Sequence, residues 1–283
     1  MRFTSLFKRL AALSLGWMFA ANAVASEESQ LVDAINSFRN QAQRCGDQVF
    51  QELPPLNVDT RLVLSATSPV DLQQAMARAT YPMVNVQAIS LSGPGDAQSA
   101  MGTIQESFCR VVLDPQFVDI GVSREGRDWR IVLARPLLTA RLGNSQDEGK
   151  KLLALINSAR AQPQQCGAQA MSATTPLSWQ PALASAAENH SRGMANNNFF
   201  DHMDRDGRMP GDRAELAGYS GQQIGENIAA GQGNVRKVVD GWLASPGHCA
   251  NLMNPGFHEL GAAYAVDPKS DAGIYWTAMF GAQ

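Results

Sequence analysis

The sequence predicts an α+β fold, and three features predict it. An apolar stripe at helical spacing opens the second half of the chain. Two strand-like runs separated by a short polar turn close each half. The two halves repeat one another in order.

In the second half, residues 148–162 place Leu152, Leu155, Ile156 and Ala159 on one helical stripe. Pro181 suits the first turn of a second helix, whose buried face would carry Leu183, Ala187, His190 and Met194. Asn234 can cap a third, with Val235, Val238, Val239 and Trp242 on one face. Ser245-Pro246 reads as the start of a fourth, serine capping and proline taking the first helical position. Residues 260–266 and 274–280 are apolar runs around Asp267-Pro268-Lys269-Ser270-Asp271, an antiparallel hairpin. The first half ends the same way, with residues 118–122 and 129–134 around Arg124-Glu125-Gly126-Arg127.

The repeat itself is explicit. Ile35-Asn36-Ser37-Phe38-Arg39, then Cys45-Gly46 and Pro55-Leu56, match Ile156-Asn157-Ser158-Ala159-Arg160, Cys166-Gly167 and Pro176-Leu177 at an offset of 121. Cys109, Leu113-Asp114-Pro115-Gln116-Phe117 and Ile120-Gly121 match Cys249, Met253-Asn254-Pro255-Gly256-Phe257 and Leu260-Gly261 at an offset of 140. The first copy is therefore about 19 residues shorter in its middle. The expected units are residues 27–140 and 148–283, joined near Arg141 to Asp147, where Gly143-Asn144-Ser145 reads as a linker.

Each copy holds one early and one late cysteine, so the repeat selects the pairs Cys45–Cys109 and Cys166–Cys249. Disulfides imply an oxidising compartment. The N-terminus agrees. Arg2, Lys8 and Arg9 precede an apolar run of about a dozen residues, too short for the roughly 20 that span a bilayer. Ala23-Val24-Ala25 then offers small residues for cleavage, so residues 1–25 read as a signal peptide. A secreted or periplasmic protein is expected, with no transmembrane segment after cleavage. Removing those residues moves the formal charge from −3 to −6, which argues against nucleic acid as a partner.

The segments of the second half include His190-Ser191-Arg192-Gly193-Met194-Ala195 and Phe199-Phe200-Asp201-His202. Further on are Gly225-Glu226-Asn227-Ile228-Ala229, Trp242-Leu243-Ala244-Ser245-Pro246-Gly247-His248 and Asn254-Pro255-Gly256-Phe257. In this order they resemble a bacterial CAP (SCP-like, cysteine-rich secretory protein) domain. The resemblance implies an α-β-α sandwich with a broad cleft, and a cluster of two histidines and two acids in that cleft. Three members carry over: His202, Glu226 and His248. The fourth, an acid three positions after the tryptophan, is Ser245 here.

Two imidazoles and a carboxylate could hold a divalent metal such as zinc, act as acid and base, or tie loops to the core by hydrogen bonds. Their separations are not local ligand spacings, so only the fold can bring them together. His248 would sit in a helix's first turn, where the dipole favours the neutral ring. His190 reads as a core histidine with a partner, and His258 as a surface residue. Asp204, Asp206 and Gly207 faintly resemble a cation loop without its later ligands. The first copy has no histidine; Phe108 stands where His248 stands. It is expected to be a degenerate scaffold or a binding surface packed on the second. Two functions remain open. One is a cleft-based binding module for an envelope or extracellular ligand (lipid, glycan or protein). The other is a metal-assisted hydrolase acting on peptides or envelope material.

Overall fold

The computed structural model describes residues 25–137 and 142–283. Nearly all of the expected signal peptide, and Arg141 of the expected linker, lie outside the described residues.

The first unit begins with helix α1 (Glu27–Arg39), capped by the Ser26 hydroxyl, which accepts from the Ser29 amide. A small hairpin follows, β1 (Gln43–Cys45) and β2 (Gln48–Phe50), turning at Gly46 with φ +60. A four-stranded sheet runs in the order β3 (Asn57–Val58), β5 (Asp119–Glu125), β6 (Asp128–Pro136), β4 (Met83–Ser92). Strand β3 is parallel to β5 and the other pairings are antiparallel. Helices α2 (Leu72–Arg78), α3 (Ala97–Ser107) and α4 (Cys109–Val112) complete the unit.

The second unit repeats this plan. Helix α5 (Ser145–Arg160) leads into the hairpin β7 (Gln164–Cys166) and β8 (Gln169–Met171), turning at Gly167 with φ +61. Its sheet runs β9 (Ser178–Trp179), β11 (Glu259–Val266), β12 (Ile274–Ala282), β10 (Gln223–Ala230), again with only the first pair parallel. Helices α6 (Pro181–Asn197), α7 (Pro210–Leu216), α8 (Val235–Ala244) and α9 (Pro246–Met253) surround it. Asn144 caps α5 and Ser145 opens it, so two of the three residues read as linker belong to the helix start. Both expected disulfides are present, Cys45–Cys109 and Cys166–Cys249.

Strand β12 is buried along its whole length because helices cover both faces of the sheet. Side chains alternate along a strand. Trp276, Ala278 and Phe280 pack with Leu152, Ile156, Val238 and Trp242 of α5 and α8. Met279 meets Leu183, Ala186 and Ala187 of α6, and Tyr275 meets Met194 and Ala195 further along that helix. The result is a helix-sheet-helix sandwich. In the first unit, Trp129, Ile131 and Leu133 of β6 pack with α1 and α3, while Val132 and Ala134 meet Leu62 and Met76 on the other face. The missing residues fall between β3 and β4, where a 3-10 turn (Thr60–Leu62) and the short α2 replace the 17-residue α6.

The units touch along one seam. Phe200 of the second packs against the apolar core of the first. Arg135 Nη1 donates to the carbonyls of Ser270 (2.9 Å) and Asp271. Gly231 and Gly241 admit Val118 and Pro54 so closely that a Cβ would stand 2.5 and 3.1 Å from them.

Candidate functional site

The site forms where four segments converge on the edge strand β10. Helix α6 ends at Asn198, whose left-handed backbone (φ +48) turns the chain back over the helix. That turn starts the loop carrying Phe199 to Arg208. Within it, the Asp201 carboxylate accepts from the Met203 amide at 2.9 Å and from Gln51 Nε2 of the first unit at 3.4 Å. His202 is thereby delivered to Glu226.

Glu226 has no unoccupied oxygen. His202 Nδ1–H donates to Oε1 at 2.8 Å, and Arg213 Nη2 of α7 donates to Oε2 at 2.6 Å. Arg213 Nη1 also holds the carbonyls of His202 and Arg208, both at 2.8 Å. His190 Nε2 stands 3.8 Å from Oε1 and donates to the Asp201 carbonyl at 2.9 Å. Burial alone would raise the Glu226 pKa. The His202 hydrogen bond, with His190 and Arg213 nearby, outweighs it and holds the carboxyl below its ordinary range. Burial lowers the His190 pKa, with Arg213 adding to the effect and Glu226 opposing it. Since a carbonyl only accepts, neutral His190 carries its proton on Nε2, and its buried Nδ1 has no partner.

His248 lies in the first turn of α9, fully buried. Ser245 precedes the helix but makes no side-chain cap to its backbone; its hydroxyl instead lies 3.0 Å from His248 Nδ1. Asn227 Nδ2 donates to the His248 carbonyl, and Asn251 Nδ2 bonds the Asn227 side chain, both at 3.0 Å. Burial, reinforced by His202, pushes the His248 pKa down to about 3, so this ring is neutral at physiological pH. Its Nε2 faces a residue of the first unit: Glu52 Oε1 is 3.0 Å away, but off the line of an N–H···O bond.

Thus His202 and Glu226 are in direct contact, whereas His248 is tied to that segment by its main-chain carbonyl, through Asn227, and not by its ring. Among the described residues, no three His, Cys, Asp or Glu side chains stand so as to hold a metal ion. Glu226, with both oxygens engaged, is poorly placed as a ligand, and the donor set as arranged does not fit a metal. The loop of Asp204 and Asp206 is closed by backbone amides: those of Asp206 and Arg208 both donate to Asp204 Oδ1. His258 is exposed.

Sequence reasoning passed over Arg213 and Glu52. Arg213 sits in no recognisable motif. Glu52 lies in the copy that lacks histidine, and only the packing of the units brings it to the site. The sequence marks Ser245 only as a missing acid; its contact with His248 comes from the fold.

Residues 153–280 match the model of the cysteine-rich secretory protein family, CAP. The chain is 35% identical over 105 residues to the uncharacterized protein YkwD of Bacillus subtilis (strain 168), and 36% over 104 residues to that organism's uncharacterized membrane protein YlbC. Each match covers 37% of this chain, and 39% and 28% of the respective relative, so the chain spans well under half the length of either. Two solved structures are similar at low identity. One is an extracellular protein containing a SCP domain from Bacillus anthracis str. Ames: 18% identical, TM-score 0.43, covering 77% of this chain and 76% of that one. The other is an outer surface protein from Borrelia burgdorferi: 21% identical, TM-score 0.41, covering 50% of this chain and 99% of that one.

Proposed function

From a chain whose residues 153–280 match the cysteine-rich secretory protein family, we propose an exported binding module that uses the face beside β10 to hold an envelope or extracellular ligand. One observation carries this reading. Both oxygens of Glu226 are committed to His202 and Arg213, so the buried acid fixes the cleft loop rather than standing ready to transfer a proton. A general base must come within hydrogen-bond reach of the proton it takes, and Glu226 is buried with a fixed donor on each oxygen. Two disulfides support export, and no helix among the described residues is long and apolar enough to cross a membrane. The secreted or periplasmic destination rests on these and on the signal-like N-terminus.

The competing reading is a metal-assisted hydrolase built on His202, Glu226 and His248. It would require Glu226 to leave Arg213. The test is cosedimentation of the protein with isolated envelope fractions, alongside elemental analysis and peptide and glycan hydrolysis assays. Saturable retention without turnover is expected. Stoichiometric zinc together with hydrolysis abolished by His248→Ala would replace the binding module with the hydrolase.

A further inference from the structure

We infer that the site is bipartite: Glu52, contributed by the first unit, is a positioning residue for His248 of the second, and its carboxylate forms part of the cleft wall that meets the ligand. The second clause rests on the binding reading above; the first does not.

Four observations converge. The Glu52 carboxylate stands 3.0 Å from His248 Nε2, the one nitrogen of that buried ring without a hydrogen-bond partner. The opposite nitrogen is already occupied by Ser245 Oγ at 3.0 Å. Gly247 leaves the space: a Cβ there would lie 2.6 Å from Glu52 Oε2, so any other residue would evict the carboxylate. The Glu52 side chain is 27% exposed and that of His202 is 25%, so both are reached by solvent while His248 is not.

The chemistry of the pair follows. Neutral imidazole has one N–H and one bare nitrogen. An ionised Glu52 at this distance attracts an Nε2–H even off the line of a hydrogen bond, so it favours the His248 tautomer protonated on Nε2, and Nδ1 then accepts from the Ser245 hydroxyl. Without Glu52 nothing pairs with Nε2, and the ring does better with its proton on Nδ1, donating to Ser245 Oγ. Burial raises the Glu52 pKa; the nearby His202 and the His248 backbone N–H oppose that rise, as expected of a carboxylate wedged at a helix start. The pairing with His248 gives the first unit a task despite its having no histidine.

The experiment reads the tautomer directly. Nitrogen-15 imidazole spectra are recorded on the full chain, with His248 assigned by His248→Gln, for wild type, Glu52→Gln and Glu52→Ala. Wild type and Glu52→Gln, which keeps an acceptor oxygen, are expected on the Nε2–H tautomer, and Glu52→Ala on Nδ1–H. Glu52→Met fills the same volume and takes the place of Glu52→Ala if that variant fails to fold. The same His248 tautomer in wild type and the alanine or methionine variant, or Nδ1–H in wild type, would overturn the positioning role. Cosedimentation then tests the ligand wall: Glu52→Ala is expected to weaken retention about tenfold, roughly 1.4 kcal/mol. Unchanged retention by that variant would overturn this part. No retention by wild type would instead remove the binding reading and leave the tautomer result standing.

Discussion

Arg39 and Arg160 make the same bonds to equivalent carbonyls in their own units. Arg160 donates to the carbonyls of Thr175, Leu252, Asn254 and Phe257; Arg39 donates to those of Pro54, Val112, Asp114 and Phe117. The first pair of acceptors is related by 121 positions, as the arginines are, and the other three by 140. The asparagines three positions earlier match as well: Asn36 brackets Leu56 as Asn157 brackets Leu177.

Each guanidinium is therefore a bolt between the first helix and the loop ahead of the sheet. Arg160→Met should strand several carbonyls and cost about 3 kcal/mol or more. Arg160→Lys should recover little, because a single ammonium cannot reproduce the planar fork. Urea unfolding of both variants, and of Arg39→Met, measures this. An Arg160→Lys midpoint equal to wild type would contradict it.

Gly261 should be intolerant of a side chain. A Cβ there would sit 1.9 Å from the Ala184 amide nitrogen, where α6 crosses the sheet. Gly121, its counterpart, is crowded by Leu62 at 2.4 Å. Gly261→Ala is expected to destabilise by about 3 kcal/mol, the upper part of the range for overpacking, as a fall in the thermal midpoint. Gly193→Ala, with no neighbour near its Cβ position, serves as the control and should leave the midpoint near wild type.

Stability should fall with acidity between the ordinary histidine range and about pH 3, because burial holds His248 at about 3. In that window the unfolded chain binds a proton that the native ring refuses. The native state thus loses up to about 1.4 kcal/mol per pH unit on acidification. Glu226, whose pKa is held low, adds a loss of the same sign below the usual carboxylate range. Unfolding free energies from pH 7 to 4 should slope less steeply in His248→Gln. Parallel slopes would show that the ring charges in the native state.

The two units should unfold together. Phe200 packs into the first unit's core, and Arg135 grips the carbonyls of Ser270 and Asp271. Calorimetry should show one transition in wild type and two in the double variant Phe200→Ala, Arg135→Ala. Two transitions in wild type would refute the shared seam.

Much of this is legible in the sequence. The α6 face of Leu183, Ala187, His190 and Met194, the Asn234 cap and the closing hairpins follow from periodicity and capping chemistry that act within a few residues. The cysteine pairs followed from the repeat. The contacts of Glu226 with Arg213, and of His248 with Glu52, were not legible, because they join segments 13 and 196 positions apart whose proximity is set by packing alone. The start of α5 was read three residues late, since Asn144 and Ser145 resemble linker residues as readily as a cap.

The two disulfides bear on when the site comes into being. Cys166–Cys249 joins the β7–β8 hairpin to the turn of α9 that presents His248, and Cys45–Cys109 anchors the β1–β2 hairpin that leads to Glu52. Each half of the bipartite cleft thus hangs from a link that only an oxidising compartment can forge. A newly made chain in a reducing cytosol has neither link. Oxidation would then act as the clock for placing His248 and Glu52.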